Sequence, residues 1–180
     1  MTASPPSLES RSRRSRKPAA RRAPPLRLRP LARRDLAAVR RIDAHHRGTA
    51  PKPAYWTRIF RELLSSPPEE GRVGVAAVQG GTLVGYLVGE LRAFEFGSEP
   101  CGWVLAVAVD PGALRAHVGA ALLAEAARRF RELGVPRVRT MVRRTDVPVL
   151  AFFRSSGFAG GPYVQLELDL TQRPAGEETR

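Results

Sequence analysis

The residues with the most chemical consequence lie between Val107 and Leu123. Val107, Ala108 and Val109 are apolar, Asp110-Pro111 interrupts them, and Val118-Gly119-Ala120-Ala121-Leu122-Leu123 then opens a helix on small side chains. A buried strand, a turn and a helix start in this order leave first-turn N–H groups without intrahelical acceptors. Together with the helix dipole they form an anion site, most often for phosphate. Elsewhere, Glu95 stands in Phe94-Glu95-Phe96-Gly97, an apolar setting that suits a proton-accepting carboxylate, and it is the candidate general base. His45, beside His46 near the end of a predicted helix, and Tyr55 and Trp56, after a Pro-rich loop, are candidate substrate contacts. The single cysteine, Cys101, excludes a disulfide within the chain and argues against a cysteine-based zinc centre, so no metal site is expected.

The elements that must position these groups follow from periodicity. Leu26-Arg27-Leu28-Arg29 alternates as a short strand, and Leu31, Leu36, Val39 and Ile42 recur at helical spacing. Tyr55, Ile59, Phe60, Leu63 and Leu64 mark a second amphipathic helix, stopped before Pro67-Pro68. Residues 72–78 and 83–91 read as strands around Gln79-Gly80-Gly81-Thr82, a tight hairpin turn. Residues 103–109 are nearly all apolar and predict a central strand covered on both faces. A helix over 118–133 closes at Gly134, and residues 138–142 form a strand. Asp146 is the expected N-cap of a helix that carries Pro148 in its first turn and ends at Gly157. Residues 164–170 alternate well enough to predict a last strand. The order β-α-α-β-β-β-α-β-α-β predicts a mixed α/β single domain.

With 180 residues, 43% of them hydrophobic, the chain is long enough for one domain with a substantial core. Its net charge of +13 comes almost entirely from arginine, since Lys17 and Lys52 are the only lysines. Residues 1–25 carry Arg11, Arg13, Arg14, Arg16, Lys17, Arg21 and Arg22 against Glu9 alone, and have almost no large apolar side chain. We expect 1–24 to be a disordered basic tail, 25–171 the folded domain and 172–180 a disordered C-terminal tail. No apolar run is long enough to span a membrane, and a reducing, cytoplasmic setting is expected.

The segment 109–123 resembles the acetyl-CoA loop of the GNAT N-acetyltransferases, in which Val-Asp-Pro precedes Arg/Gln-x-x-Gly-x-Gly/Ala and a helix with paired leucines. In one frame the loop falls on Leu114, Arg115, Ala116, His117, Val118 and Gly119, which keeps only the last glycine. A frame shifted by one places Arg115 first and Ala120 last, with Val118 at the glycine position. A second likeness is Asp146, then Phe152-Phe153-Arg154-Ser155-Ser156-Gly157-Phe158, where the family has Asn, Tyr and Gly-Phe. A third is the hairpin Gly81-Thr82-Leu83-Val84-Gly85-Tyr86.

The resemblance spans about residues 26–170. It implies a GNAT fold with a mixed, mostly antiparallel sheet of about six or seven strands flanked by four helices. It also implies acetyl-CoA as co-substrate and transfer of acetyl to a primary amine. Residues 114–120 would hold the pyrophosphate, Val107, Ala108 and Val109 the pantetheine arm, and Asp146 and Phe153 would also contact the cofactor. Phe153 lacks the O–H of the family's tyrosine, so an acyl-CoA-binding or regulatory module with little catalysis is the alternative. A homodimer and weak, nonspecific nucleic-acid contact through the tail complete the expected partners. The full chain should bind single-stranded DNA with an affinity that falls steeply with salt, and removal of residues 1–24 should abolish it. Binding that survives the truncation would contradict this.

Overall fold

The computed structural model describes residues 24–47, 53–67, 70–93, 97, 99–113 and 117–171. Five strands form one sheet in sequence order. They are β1 (Leu26–Pro30), β2 (Arg72–Gln79), β3 (Thr82–Arg92), β4 (Cys101–Val109) and β5 (Val138–Arg139). The helices are α1 (Leu36–Arg47, entered through one turn of 3-10 helix), α2 (Pro53–Ser65), α3 (Val118–Glu132) and α4 (Val147–Ser155). β1 to β4 pair antiparallel, and β4 pairs with β5 in parallel. The β2–β3 hairpin turns on Gly80 and Gly81, both at positive φ, the conformation a two-residue loop between right-twisted strands demands.

Alternation along the strands divides the core into two layers. Val73, Val75, Ala77 and Leu87 face α3, where Leu122, Ala126 and Phe130 cover them. Ala76, Tyr86 and Val88 face the other way, onto Val39 and Ile42 of α1 and Trp56, Ile59 and Phe60 of α2. The periodicity of the four predicted helices is thereby explained, each burying one stripe on one face of the sheet.

Two hydrogen-bonded joints centred on aspartates fix α1. Asp35 accepts two bonds from the Arg29 guanidinium, at 2.6 and 2.8 Å, and one from the Ala32 N–H at 2.8 Å. Burial alone would raise the Asp35 pKa, but these bonds outweigh it and the carboxyl sits below its ordinary range. Asp43 is buried between the helices and the sheet, accepting from Trp56 Nε1–H at 2.9 Å and from the Tyr86 hydroxyl at 3.4 Å.

Two expectations are corrected. The strand expected over 138–142 pairs only at Val138–Arg139; Thr140 then turns its hydroxyl to the Val104 carbonyl at 3.1 Å and the chain leaves β4. Residues 164–170 form no strand, so the sheet has five strands rather than the expected six or seven. Alternation supplies an apolar face but not a partner, and two paired residues of β5 offer too short an edge to recruit one. Val164, Leu166, Leu168 and Leu170 are consequently 72–90% exposed.

The Asp43 joint yields the first stability expectation. Asp43→Ala leaves two buried donors without this acceptor and should destabilise the domain by about 2–4 kcal/mol in urea unfolding. Asp43→Asn, which keeps a carbonyl oxygen, should cost clearly less. Equal losses for the two would show that the hydrogen bonds carry no weight.

Candidate active site

β4 changes partners along its length, and the site grows from that change. Near its start, Gly102 and Trp103 pair with Val138 and Arg139. On the β3 side, Val88 faces Ala106 and Gly89 faces Val104, so Leu105 is an extra residue, a bulge that bends β4. Beyond Trp103 no strand among the described residues pairs with the β5 side of β4. The edge from Val104 to Val109 opens into a cleft of about 960 Å³, walled by α3 and α4. Val107, Ala108 and Val109 line it, as do His117, Gly119 and Ala120 at the start of α3, and Pro148, Val149 and Phe152 of α4.

The α3 start is shaped for an anion. No side chain caps it, its first turn carries no acid, and its first backbone bond runs from Ala121 N–H to the His117 carbonyl. The N–H groups of Val118, Gly119 and Ala120 therefore have no partner within the helix. His117 occupies the left-handed region at φ 54°, ψ 19°, alone among the described non-glycine residues. The backbone thus makes at His117 the demand that glycine meets most easily, and this favours the frame with His117 at the family's first glycine position. Leu114, Arg115 and Ala116 lie outside the described residues. Gly119 is spatially required: a Cβ there would stand 2.9 Å from the Phe152 ring. Val118 itself is buried in the core.

On the other face of the sheet, α1 grips the tip of β4. His46 Nε2–H donates to the Val109 carbonyl at 2.6 Å. A carbonyl can only accept, so Nε2 holds a proton, and in the neutral ring Nδ1 is the basic nitrogen. Arg41 donates to Asp110 at 2.7 Å, and Asp110 also accepts from the Gly112 N–H at 3.1 Å. Arg41 first, then that N–H, hold the Asp110 carboxyl below its ordinary range. The link is therefore intact at neutral pH and weakens only as pH falls below about 4.

The other expected site residues fall as follows. Asp146 caps α4, accepting from Val149 N–H at 3.2 Å. Phe153 is buried in the core, and its neighbour Phe152 supplies the cleft wall. The Ser155 and Ser156 hydroxyls, also at the wall, donate to the Phe152 carbonyl at 2.8 and 3.0 Å. Trp56 is fully buried on Asp43, and Tyr55 packs edge-on against it, so this pair serves the core under α2. His45 is exposed, with its ring 5.9 Å from that of His46. Glu95 lies outside the described residues. His46 itself carries no sequence signal that separates it from His45; only the helix register aims it at Val109. Among the described residues no cluster of acids, histidines or cysteines could hold a metal ion. None of their helices is long and apolar enough to cross a membrane.

The left-handed His117 has a measurable consequence. His117→Gly should be at least as stable as the parent, since relief of about 1–2 kcal/mol exceeds the entropy that glycine adds to the unfolded chain. His117→Val should lose about 1–2 kcal/mol in urea unfolding. Tolerance of valine would contradict the left-handed assignment.

Comparison with known proteins agrees with this geometry. The acetyltransferase (GNAT) family model matches residues 36–158. No curated protein sequence matches the chain. Among solved structures, the aminoglycoside acetyltransferase AAC(6')-Iy with a CoA bisubstrate analogue superposes at TM-score 0.69, with 16% identity over 80% of this chain and 97% of that one. The acetyltransferase meta-AAC0020, from an uncultured soil metagenomic sample and bound to sisomicin, gives 0.62 and 20% over 81% and 96%. A Trypanosoma brucei acetyltransferase gives 0.61 and 23% over 81% and 100%. At these identities the superpositions establish a shared fold. The match of the family model over most of the folded domain, on a sheet whose fourth strand splays beside an open helix start, makes this chain a member of the GNAT acetyltransferase family, whose co-substrate is acetyl-CoA.

Proposed function

We propose that the chain is an N-acetyltransferase that moves acetyl from acetyl-CoA to a primary amine. The observation that carries this is the conjunction of the uncapped α3 start with the unpaired β4 edge in one cleft. Val118, Gly119 and Ala120 N–H groups would bind the pyrophosphate, with Arg115 adding positive charge. The cleft-side backbone groups of Val107, Ala108 and Val109 that β3 and His46 leave open would bond the pantetheine amides in the manner of a neighbouring strand, and Pro148, Val149 and Phe152 would exclude water from the arm. Residues 117–120 would act as a backbone cradle, a role that tolerates the loss of side-chain consensus.

His46 is the proton acceptor best supported by geometry, because its Nε2–H bond to Val109 holds the ring at the cleft and leaves Nδ1 basic. It would take the proton that the amine loses as the new C–N bond forms and the C–S bond breaks. Phe153 cannot protonate the departing sulfur; the Ser155 and Ser156 hydroxyls are the O–H groups at the wall nearest its place in α4. That same Phe153 favours the second reading, a module that binds acyl-CoA with little turnover. The exposed Val164, Leu166, Leu168 and Leu170 support self-association, and the Arg-rich tail supports a sequence-independent attraction to polyanions. A cytoplasmic setting fits a CoA-dependent chemistry.

The test is release of free CoA from acetyl-CoA in the presence of an amine panel. Amine-dependent release is expected, and His46→Gln should lower kcat about a hundredfold with little change in acetyl-CoA affinity. Binding of acetyl-CoA without release for any amine would favour the second reading; an unchanged kcat in the variant would remove His46 from catalysis.

A further inference from the structure

The chemistry of the acceptor follows from charge on the α1 side of the cleft, granted the transferase reading above. The sheet separates two approaches to the tip of β4: α3 and α4 cover one face, α1 and α2 the other. If the first holds the CoA arm, an amine must reach the thioester past α1. The groups there are Arg41, which meets Asp110, and His45 and His46, whose rings stand edge to face.

Residues 33–65 hold eight Arg and Lys residues against three carboxylates. Each of those carboxylates is engaged. Asp35 is held by Arg29, Asp43 is buried on Trp56 and Tyr86, and Glu62 lies 3.3 Å from Arg72. Asp110, at the tip itself, is taken by Arg41 and by the Gly112 N–H. Arg41 spends one terminal nitrogen on this bond. Among the described residues nothing accepts from its other N–H groups, and its side chain is 59% exposed. Among the described residues no carboxylate on this face is left to receive a second ammonium group, whereas the Arg41 guanidinium keeps unused donors.

We infer that the acceptor amine carries an anionic group, a phosphate or a carboxylate, which Arg41 and His45 receive while the amine faces His46. A planar guanidinium with unused N–H donors suits either oxyanion. This sets the chain apart from the aminoglycoside acetyltransferases that share its fold, because aminoglycosides are polycations and this entrance repels them.

The experiment compares matched amines on the full chain: glucosamine 6-phosphate with glucosamine, β-alanine with β-alaninamide, and neamine as the polycation. Two readouts are taken, kcat/KM from CoA release and the thermal midpoint of the CoA-loaded protein. The anionic member of at least one pair should exceed its neutral partner by about tenfold in kcat/KM and should raise the midpoint more, with neamine weakest. The advantage should shrink between low and high salt and largely vanish in His45→Gln and in Arg41→Gln. Which pair responds tells phosphate from carboxylate. Equal or better performance of the neutral amines or neamine in both readouts overturns the inference. If CoA binds but no amine is acetylated, the transferase reading fails, and the midpoint decides alone: selective stabilisation by the anionic probes upholds an anion site here, and its absence overturns one.

Discussion

A strand in the middle of a sheet ordinarily has its backbone satisfied on both sides, and β4 does not. It is paired with β3 throughout but with β5 only at Gly102 and Trp103. The bulge at Leu105 bends it, and Thr140 closes the fork by donating to the Val104 carbonyl. Between that point and the Val109 carbonyl, which His46 takes, no strand among the described residues pairs with the cleft side of β4. Backbone in that state calls for a partner, and a ligand rich in amides is a natural one. The rest of the fold arranges what stands around this edge. A 3-10 turn over Pro111–Ala113 ends β4, and the first residues of α3 line the same cleft as the end of that strand. Gly119 lets α4 close in, since any side chain would strike Phe152.

The opposite side of the edge is held by polar joints rather than by packing alone. His46 and Arg41 tie α1 to Val109 and Asp110, and Asp43 ties α1 to α2 and β3. A buried carboxylate is costly unless its acceptors are used, so Asp43 fixes the helix register as much as it stabilises it. That register decides which histidine faces the cleft. The same joints engage the carboxyl groups of Asp43 and Asp110.

The parts of this arrangement visible in the sequence were those set by periodicity and turn chemistry. The two-residue turn at Gly80-Gly81, the apolar run ending at Val109 and the small residues opening α3 each have one local solution. The split of β4 from β5 was invisible, because a strand that loses its partner midway keeps the same apolar composition. Residues 164–170 misled for a related reason, since alternation describes a face and says nothing of a partner. The conformational demand at His117 was obscured by its side chain, and the choice between His45 and His46 depends on a helix register that no motif encodes. Trp56 read as a pocket aromatic because helical spacing does not reveal the Asp43 carboxylate buried beneath it.

The central claim is that first-turn amides of α3 and the free edge of β4 bind one ligand together. Titration of the isotope-labelled chain with acetyl-CoA, followed through backbone amide resonances, tests this most directly. The account predicts that Val118, Gly119 and Ala120 shift in concert with Val107, Ala108 and Val109, at one common dissociation constant, and that ADP moves the first group alone. Saturation with no movement at residues 118–120, or movement confined to residues outside both groups, would contradict it.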